Sequence, residues 1–190
     1  MTPLYIFLGA ESSGRREVLL DLIEMGLPEH TGTLALYLSE DERPSPLDEE
    51  LHAIPHSAIL SYRLEETFEI NAENRPPDTS TVFFLTDGRA NPVDQIEALT
   101  YWMHPQELAL VRIITIVNCA LGQAHNALFA WYEACIHFSD VVLLNKRTDK
   151  TEKWVKTFRT HFHKHCYPCE FQLVKKGKVA NPTTALDDQT

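Results

Sequence analysis

The stretch PLYIFLGAESSGRR, residues 3–16, joins a short apolar run to a loop that contains two glycines. An apolar run of this length that ends in glycine is typical of a buried parallel strand. Apolar residues with helical spacing then continue as far as Gly26, which is a stop signal for a helix. We therefore predict a strand over 3–9 and a helix over 14–26, with the glycine loop between them.

The same alternation of strand and helix signals continues along the chain. Further strands are predicted at 33–38, 81–86, 111–119, 140–145 and 170–174, and helices at 92–103, 121–138 and 149–165. Short strands at 57–62 and 65–70 are expected to form an antiparallel pair at an edge. Because strands and helices alternate, we predict an α/β fold of three layers, with a mostly parallel sheet and helices on both faces.

Length and charge limit the classes of function. The 190 residues suffice for one ordinary domain, expected over 1–179, with a loosely packed tail over 180–190. The net charge of -10 argues against nucleic-acid binding, which needs a cationic surface. No apolar run reaches the roughly 18–20 residues that span a membrane, so no membrane association is expected. The first residues contain no basic cluster typical of a signal peptide, so a cytoplasmic location is the expectation.

Gly9 and Gly14 have the G-x-x-x-x-G spacing of a phosphate-binding loop. Such a loop turns its backbone N–H groups toward an anion, and the following helix adds partial positive charge. Arg15 and Arg16 stand where the complete motif has lysine and then serine or threonine. Arg15 keeps the positive charge but brings a planar fork, whereas Arg16 cannot coordinate a cation. On this local pattern alone, a strand-to-helix turn that needs two glycines is an equally good interpretation.

Three more segments follow the glycine loop in order: FFLTDGRANPV at 83–93, ITIVNCA at 114–120 and FSDVVLLNKRTD at 138–149. Together the four segments resemble the nucleotide-binding domain of CobW-type GTPases, relatives of the urease and hydrogenase accessory GTPases. In that family the second segment senses the γ-phosphate and the last recognises guanine. The resemblance covers about residues 4–150 and implies a P-loop NTPase-like fold.

The resemblance also implies a nucleotide site with GTP as the cofactor. The implied residues are Gly9, Ser12, Ser13, Gly14, Arg15 and Arg16 at the phosphates, Asp87 and Gly88 near the γ-phosphate, and Asn145, Lys146 and Asp149 at the base.

Several departures from the family pattern weaken the implied activity. The Walker lysine and the magnesium-binding hydroxyl are replaced by Arg15 and Arg16, and the acid of the second segment falls at Leu85. The aspartate that would accept from guanine is displaced by one position, to Asp149. The family's Cys-x-Cys-Cys metal motif is missing, and 190 residues leave no room for its separate C-terminal domain. Because phosphoryl transfer depends on positioning and on cations that neutralise charge, we expect weak nucleotide binding and slow or absent hydrolysis.

A second cluster, of histidines and cysteines, lies near the end of the chain, over 161–169. His161 and His165 are one helical turn apart, and Cys166 and Cys169 form a C-x-x-C pair. Imidazole and thiolate are preferred zinc ligands, so these four residues are a candidate zinc site. The alternative is a helix end with exposed histidines and with cysteines packed under the last strand.

Three functional hypotheses stay open. The first is a degenerate GTP-binding protein linked to metal-cofactor handling. The second is a pseudo-GTPase that serves as an interaction or scaffold module for an unidentified protein partner, and the third is a small zinc-binding protein. This second hypothesis predicts a glycine loop closed by its own side chains, with Glu11 or Ser12 paired to one of the two loop arginines. A basic face over 146–164 could dock an acidic partner or a second copy.

Overall fold

The computed structural model describes residues 1–27, 30–165 and 167–187. Its strands are β1 (Thr2–Leu8), β2 (Thr33–Ser39), β3 (Ser57–Leu64), β4 (Ile70–Ala72), β5 (Thr79–Leu85), β6 (Leu108–Asn118), β7 (Val141–Asn145), β8 (Glu170–Lys175) and β9 (Lys178–Val179). Its helices are α1 (Arg15–Gly26), α2 (Leu47–His52), α3 (Pro92–Met103), α4 (Cys119–Ala124), α5 (Ala127–His137), α6 (Glu152–Lys164) and α7 (Pro182–Leu186), with a 3-10 turn at Asp149–Thr151 before α6.

The strands form a mixed sheet in the order β4-β3-β2-β5-β1-β6-β7-β8-β9. Neighbours from β3 to β8 are parallel, whereas β4 and β9 pair antiparallel with β3 and β8. The strand β1 lies between β5 and β6, so its glycine loop lies beside the carboxyl ends of both. This topology confirms the predicted fold class, and the antiparallel β3–β4 pair has the predicted place at an edge.

Helices cover both faces of the sheet. Successive side chains of a strand point to opposite faces, and the central strands are apolar on both, so each face needs a covering layer. From β1, Tyr5 and Phe7 pack against α1 and α7, while Leu4 and Ile6 face α3 and α5. Val142 of β7 packs on the side of α5 and α6. These clusters are the apolar core that fixes the strand ends around the glycine loop.

The predicted helix over 121–138 is in fact two helices, α4 and α5. The side-chain oxygen of Asn118 accepts the Leu121 N–H at 3.0 Å and starts α4, which ends at an extended His125. A Cβ on Gly122 would lie 2.7 Å from the ring of Trp154 in α6. Close packing of α4 against α6 therefore separates the path of α4 from that of α5, and Asn126 stands at the start of α5.

The tail also differs from the expectation of loose packing. Residues 182–186 form α7, in which Ala185 and Leu186 are buried in the core on the α1 side. The Tyr5 hydroxyl donates to the Leu186 carbonyl at 3.0 Å, and Gly26 leaves room for the Leu186 side chain. A helix this short has too few residues for its apolar periodicity to be recognised in the sequence.

The end of β6 depends on a buried tyrosine. The Asn118 N–H donates to the hydroxyl oxygen of fully buried Tyr132 at 3.0 Å. Tyr132→Phe leaves that N–H unpaired and should lower the free energy of unfolding by about 1–3 kcal/mol, measured by urea denaturation. Tyr101→Phe, at a position 74% exposed, is the matched control and should change it by less than about 0.5 kcal/mol. Equal effects of the two substitutions would contradict this role of Tyr132.

Candidate functional site

Two asparagines hold the glycine loop from the ends of neighbouring strands. Asn118 Nδ2, at the end of β6, donates to the Ser12 carbonyl at 3.0 Å, and Asn145 Nδ2, at the end of β7, donates to the Ser13 carbonyl at 2.9 Å. Gly14 begins α1 with φ 88°, and a Cβ there would lie 2.5 Å from Asn145 Nδ2. The loop, β6 and β7 therefore meet as the sequence order predicts, and this close approach requires glycine at position 14.

Both loop arginines are engaged by groups of this chain. Arg15 is 4% exposed, and its guanidinium donates to the Thr86 carbonyl and forms an ion pair with Glu42. Arg16 Nη1 lies 2.9 Å from the second oxygen of Glu42, and its Nε lies 2.5 Å from Asp48 Oδ1. Glu42 precedes α2 and Asp48 lies in its first turn, so both belong to the acidic connection from β2 into α2, residues 39–50, which we call the 39–50 loop. These acids neutralise the two positive charges at the start of α1.

Glu42 is the centre of this arrangement. Its side chain is 5% exposed, and its Oε1 also accepts the Gly88 N–H at 2.8 Å. Burial alone would raise the pKa of Glu42, but the charge of Arg15 and hydrogen bonds from Arg15, Gly88 and Arg16 hold it below its ordinary value. An ionised carboxylate of the protein therefore lies against the groups that would face a phosphate.

The prediction that Glu11 or Ser12 pairs with a loop arginine is wrong, because Glu42 and Asp48 form these pairs. The Glu11 side chain instead approaches Arg89, with 4.0 Å between Oε2 and Nε. Glu42 and Asp48 lie far along the chain from the arginines, but the carboxyl end of β2 brings their loop to the same edge of the sheet. The sequence signal was only the acidic loop over 39–50, in which no single acid stands out.

The second segment lies against the glycine loop. A Cβ on Gly88 would lie 2.3 Å from the Glu11 nitrogen, so the two backbones are in close contact. The Asp87 N–H donates to Gln95 Oε1 at 2.7 Å, and Gln95 Nε2 donates to the Asp87 carbonyl at 2.9 Å. Asn91 caps the start of α3 by accepting the Val93 N–H at 2.9 Å, which places Gln95 for these bonds.

At the predicted base end, Lys146 also has an internal partner. Its Nζ donates to Glu17 Oε2 at 2.7 Å, and a Cβ on Gly177 would lie 2.5 Å from Glu17 Cγ. Glu17 therefore lies between the β7 end and the β8–β9 turn. Asp149 is exposed and lines a separate cavity of about 420 Å³ with Arg147.

A small cavity remains beside the glycine loop. Its volume is about 210 Å³, and it is lined by 11–16 together with Glu42, Arg43 and Ser45. Small-molecule sites usually have about 300–1,000 Å³. The Ser13 hydroxyl is buried and has no hydrogen-bond partner within the described parts of the chain. The residues present do not fit a magnesium nucleotide, because position 16 offers a paired guanidinium in place of a hydroxyl.

The histidine and cysteine cluster is used differently from the predicted zinc site. His161 Nε2 lies 2.9 Å from Glu133 Oε1, and His165 Nδ1 lies 2.7 Å from the His161 carbonyl oxygen. Burial raises the pKa of the Cys169 thiol to about 11. Across 1–27, 30–165 and 167–187, no three histidine, cysteine or acidic side chains are grouped to hold a metal. Cys166 lies outside the described residues, and the four-ligand zinc site stays a prediction.

The parallel sheet, the glycine loop between β1 and α1, and the Asn-Lys pair after β7 define the class of fold: a P-loop GTPase-like domain. Solved structures agree with this class. A Zn(II)-bound triple mutant of the YjiA GTPase superposes with a TM-score of 0.55 at 14% identity, over 98% of this chain and 61% of that chain. Zn(II)-bound YjiA GTPase from E. coli superposes with a TM-score of 0.48 at 13% identity, over 83% of this chain and 54% of that chain.

The first of these comparisons confirms the resemblance to the CobW-type domain, to whose family YjiA belongs, at the level of the fold. The chain spans about three fifths of the length of the better-matching YjiA structure. No family model and no curated protein matches the sequence. No helix in the described residues is both long enough and apolar enough to cross a membrane.

The Glu42 ion pairs should make a large contribution to stability. Glu42→Gln leaves the buried Arg15 without its anion and should lower the free energy of unfolding by about 3–5 kcal/mol at pH 7. The control, Glu40→Gln, breaks an exposed pair with Arg63 and should cost about 0–1 kcal/mol. Chemical denaturation at pH 7 gives both values.

The same pair of variants gives a pH test. Because the native pKa of Glu42 is lowered, its stabilisation is present above the unfolded carboxyl pKa of about 4.3 and is lost as the pH falls through the native pKa. The stability difference between wild type and Glu42→Gln should therefore shrink below about pH 4. A difference that stays constant from neutral to acid pH would show that Glu42 is not held as an ion.

Proposed function

We propose that this chain is a pseudo-GTPase, a domain with the GTPase fold that acts as an interaction module and does not turn over nucleotide. The single observation that carries the proposal is the position of the Glu42 carboxylate. It engages Arg15, Arg16 and the Gly88 N–H, which the family resemblance assigns to the phosphates. The phosphate site is thus occupied by an anion that belongs to the protein.

Charge competition supports the absence of turnover. A bound triphosphate would need the two arginines that Glu42 already neutralises, and it would meet the Glu42 carboxylate at close range. Like charges at such a distance repel strongly in a partly buried site. Phosphoryl transfer also needs a magnesium ligand where Arg16 pairs with Asp48.

The base end supports the same function. Lys146, the residue that the resemblance places at the base, is paired with Glu17, which the β8–β9 turn covers at Gly177. Two internal carboxylates therefore engage the cations of both halves of the implied nucleotide site.

A fixed loop is what an interaction module needs. Glu42 ties the 39–50 loop to Gly88, in the segment that senses the γ-phosphate in the related family. Arg89 reinforces this contact by donating to the Asp41 carbonyl. The loop is therefore held against the second segment without a ligand, and it offers a partner one constant surface.

One observation favours a second function, weak GTP binding without hydrolysis. The buried Ser13 hydroxyl lacks a partner among the described residues and lies in the lining of the remaining cavity. A nucleotide that displaced Glu42 would gain this hydroxyl and the two arginines. In that case GTP would bind in competition with the 39–50 loop.

Calorimetric titration with GTP and ATP, with and without magnesium, separates the two functions. We expect no binding to the wild type at millimolar nucleotide and no release of phosphate. Glu42→Ala removes the carboxylate that Arg15 and Arg16 share, so this variant should gain affinity for pyrophosphate, while Glu40→Ala should not. Wild-type binding that prefers GTP to ATP would overturn the pseudo-GTPase proposal and support the second function.

A further inference from the structure

Another cavity lies away from the glycine loop, at the β4 edge of the sheet. It has a volume of about 630 Å³ and lies between the tip of the β3–β4 hairpin, over 67–70, and one side of α3. Three strands separate β4 from β1 in the sheet order, and the cavity shares no lining residue with the one at the glycine loop. We call this cavity the hairpin groove.

Aromatic rings form much of the hairpin groove. Trp102 is fixed from below, since its ring packs at 5.3 Å from Tyr37 and 5.4 Å from Phe84, centroid to centroid. Tyr101 is 74% exposed and Phe68 is 57% exposed, although both are large rings. Exposed aromatic rings beside a fixed tryptophan are typical of a binding surface.

In the part of the chain that the structure describes, no ion pair is formed by the acids of the groove. Glu69, Asp94 and Glu97 line it, and no ion pair joins any of them to a base within the described residues. Arg63, in β3, and Arg75, which follows β4 in the chain, are engaged by Glu40 and Gln106. The groove thus differs from the glycine loop, where Glu42 and Asp48 are paired with arginines.

The turn of the β3–β4 hairpin holds a phenylalanine, Phe68, at a position where the backbone conformation favours glycine. Its φ of 60° lies in the left-handed region, and its N–H donates to the Glu65 carbonyl at 2.9 Å. This conformation costs an ordinary side chain about 1–2 kcal/mol, and glycine would avoid the cost. The strained turn places an exposed phenyl ring at the rim of the groove, which points to a role in binding.

We propose that the hairpin groove binds a basic peptide segment of a partner protein. An arginine or lysine side chain would lie against the rings of Phe68 and Tyr101 and pair with Asp94 and Glu97. Aromatic faces attract cations, and unpaired carboxylates supply the complementary charge. A peptide fits better than a free cation, because the groove is large and β4 pairs only with β3 among the described strands. An extended segment can therefore add along the β4 edge.

The test is a calorimetric titration of the whole chain, at low and at high salt, with a short peptide in which arginine and serine alternate. The Asp94→Asn/Glu97→Gln double variant should weaken binding by about tenfold or more. Glu49→Gln/Glu50→Gln removes the same charge from exposed positions in α2 and should change the affinity by less than about twofold. The same peptide with citrulline in place of arginine should not bind.

Phe68→Gly separates binding from folding. It removes the ring and relieves the backbone, so the melting temperature should stay equal or rise while peptide affinity falls. The proposal is overturned if both double variants weaken binding alike, if the citrulline peptide binds, or if free arginine binds as tightly as the peptide. It is also overturned if the wild type self-associates through the groove, because the occupant would then be a second copy. None of these variants touches the glycine loop, so the outcome is independent of nucleotide binding.

Discussion

The buried ion pairs of Glu42 with Arg15 and Arg16 are the constraint on which this site depends. A guanidinium with 4% exposure needs an anion nearby, because an unpaired buried charge costs several kcal/mol. In a phosphate-binding loop that anion comes from a ligand. Here the carboxylate comes from the 39–50 loop, and it also accepts the Gly88 N–H. The two arginines and Glu42 therefore form one unit. The arginines that replace lysine and serine or threonine at positions 15 and 16 need the Glu42 carboxylate to balance their charge.

An internal anion alters what the fold can do. A ligand shifts a conformational equilibrium only by as much as its affinity differs between the two states. In a nucleotide switch the phosphate supplies that difference by holding the sensing segment. Under the proposed function, Glu42 takes the place of that phosphate at Gly88, and Gln95 holds the Asp87 backbone from α3 on the other side. The GTPase fold is kept while the element that would respond to the nucleotide is held in one arrangement.

Sequence patterns predicted the fold well where the signal is local. Mostly apolar, β-branched runs such as ITIV at 114–117 become buried central strands, as expected. The failures concern contacts between distant parts of the chain. The end of α4 at His125 and the burial of Leu186 depend on packing against other helices. The choice of Glu42 among several acids of one loop depends on strand order, which no local pattern encodes.

The hairpin groove and the glycine loop use acids in opposite ways, and the difference bears on regulation. Coupling between two sites requires an element with two arrangements that both sites bias. The 39–50 loop is the natural element, since β2 lies between β5 and β3 and thus between the two sites. Glu42 fixes that loop to Gly88 without any ligand. A basic segment in the groove should therefore meet the same surface whether or not nucleotide is present, and binding there should be constitutive rather than switched.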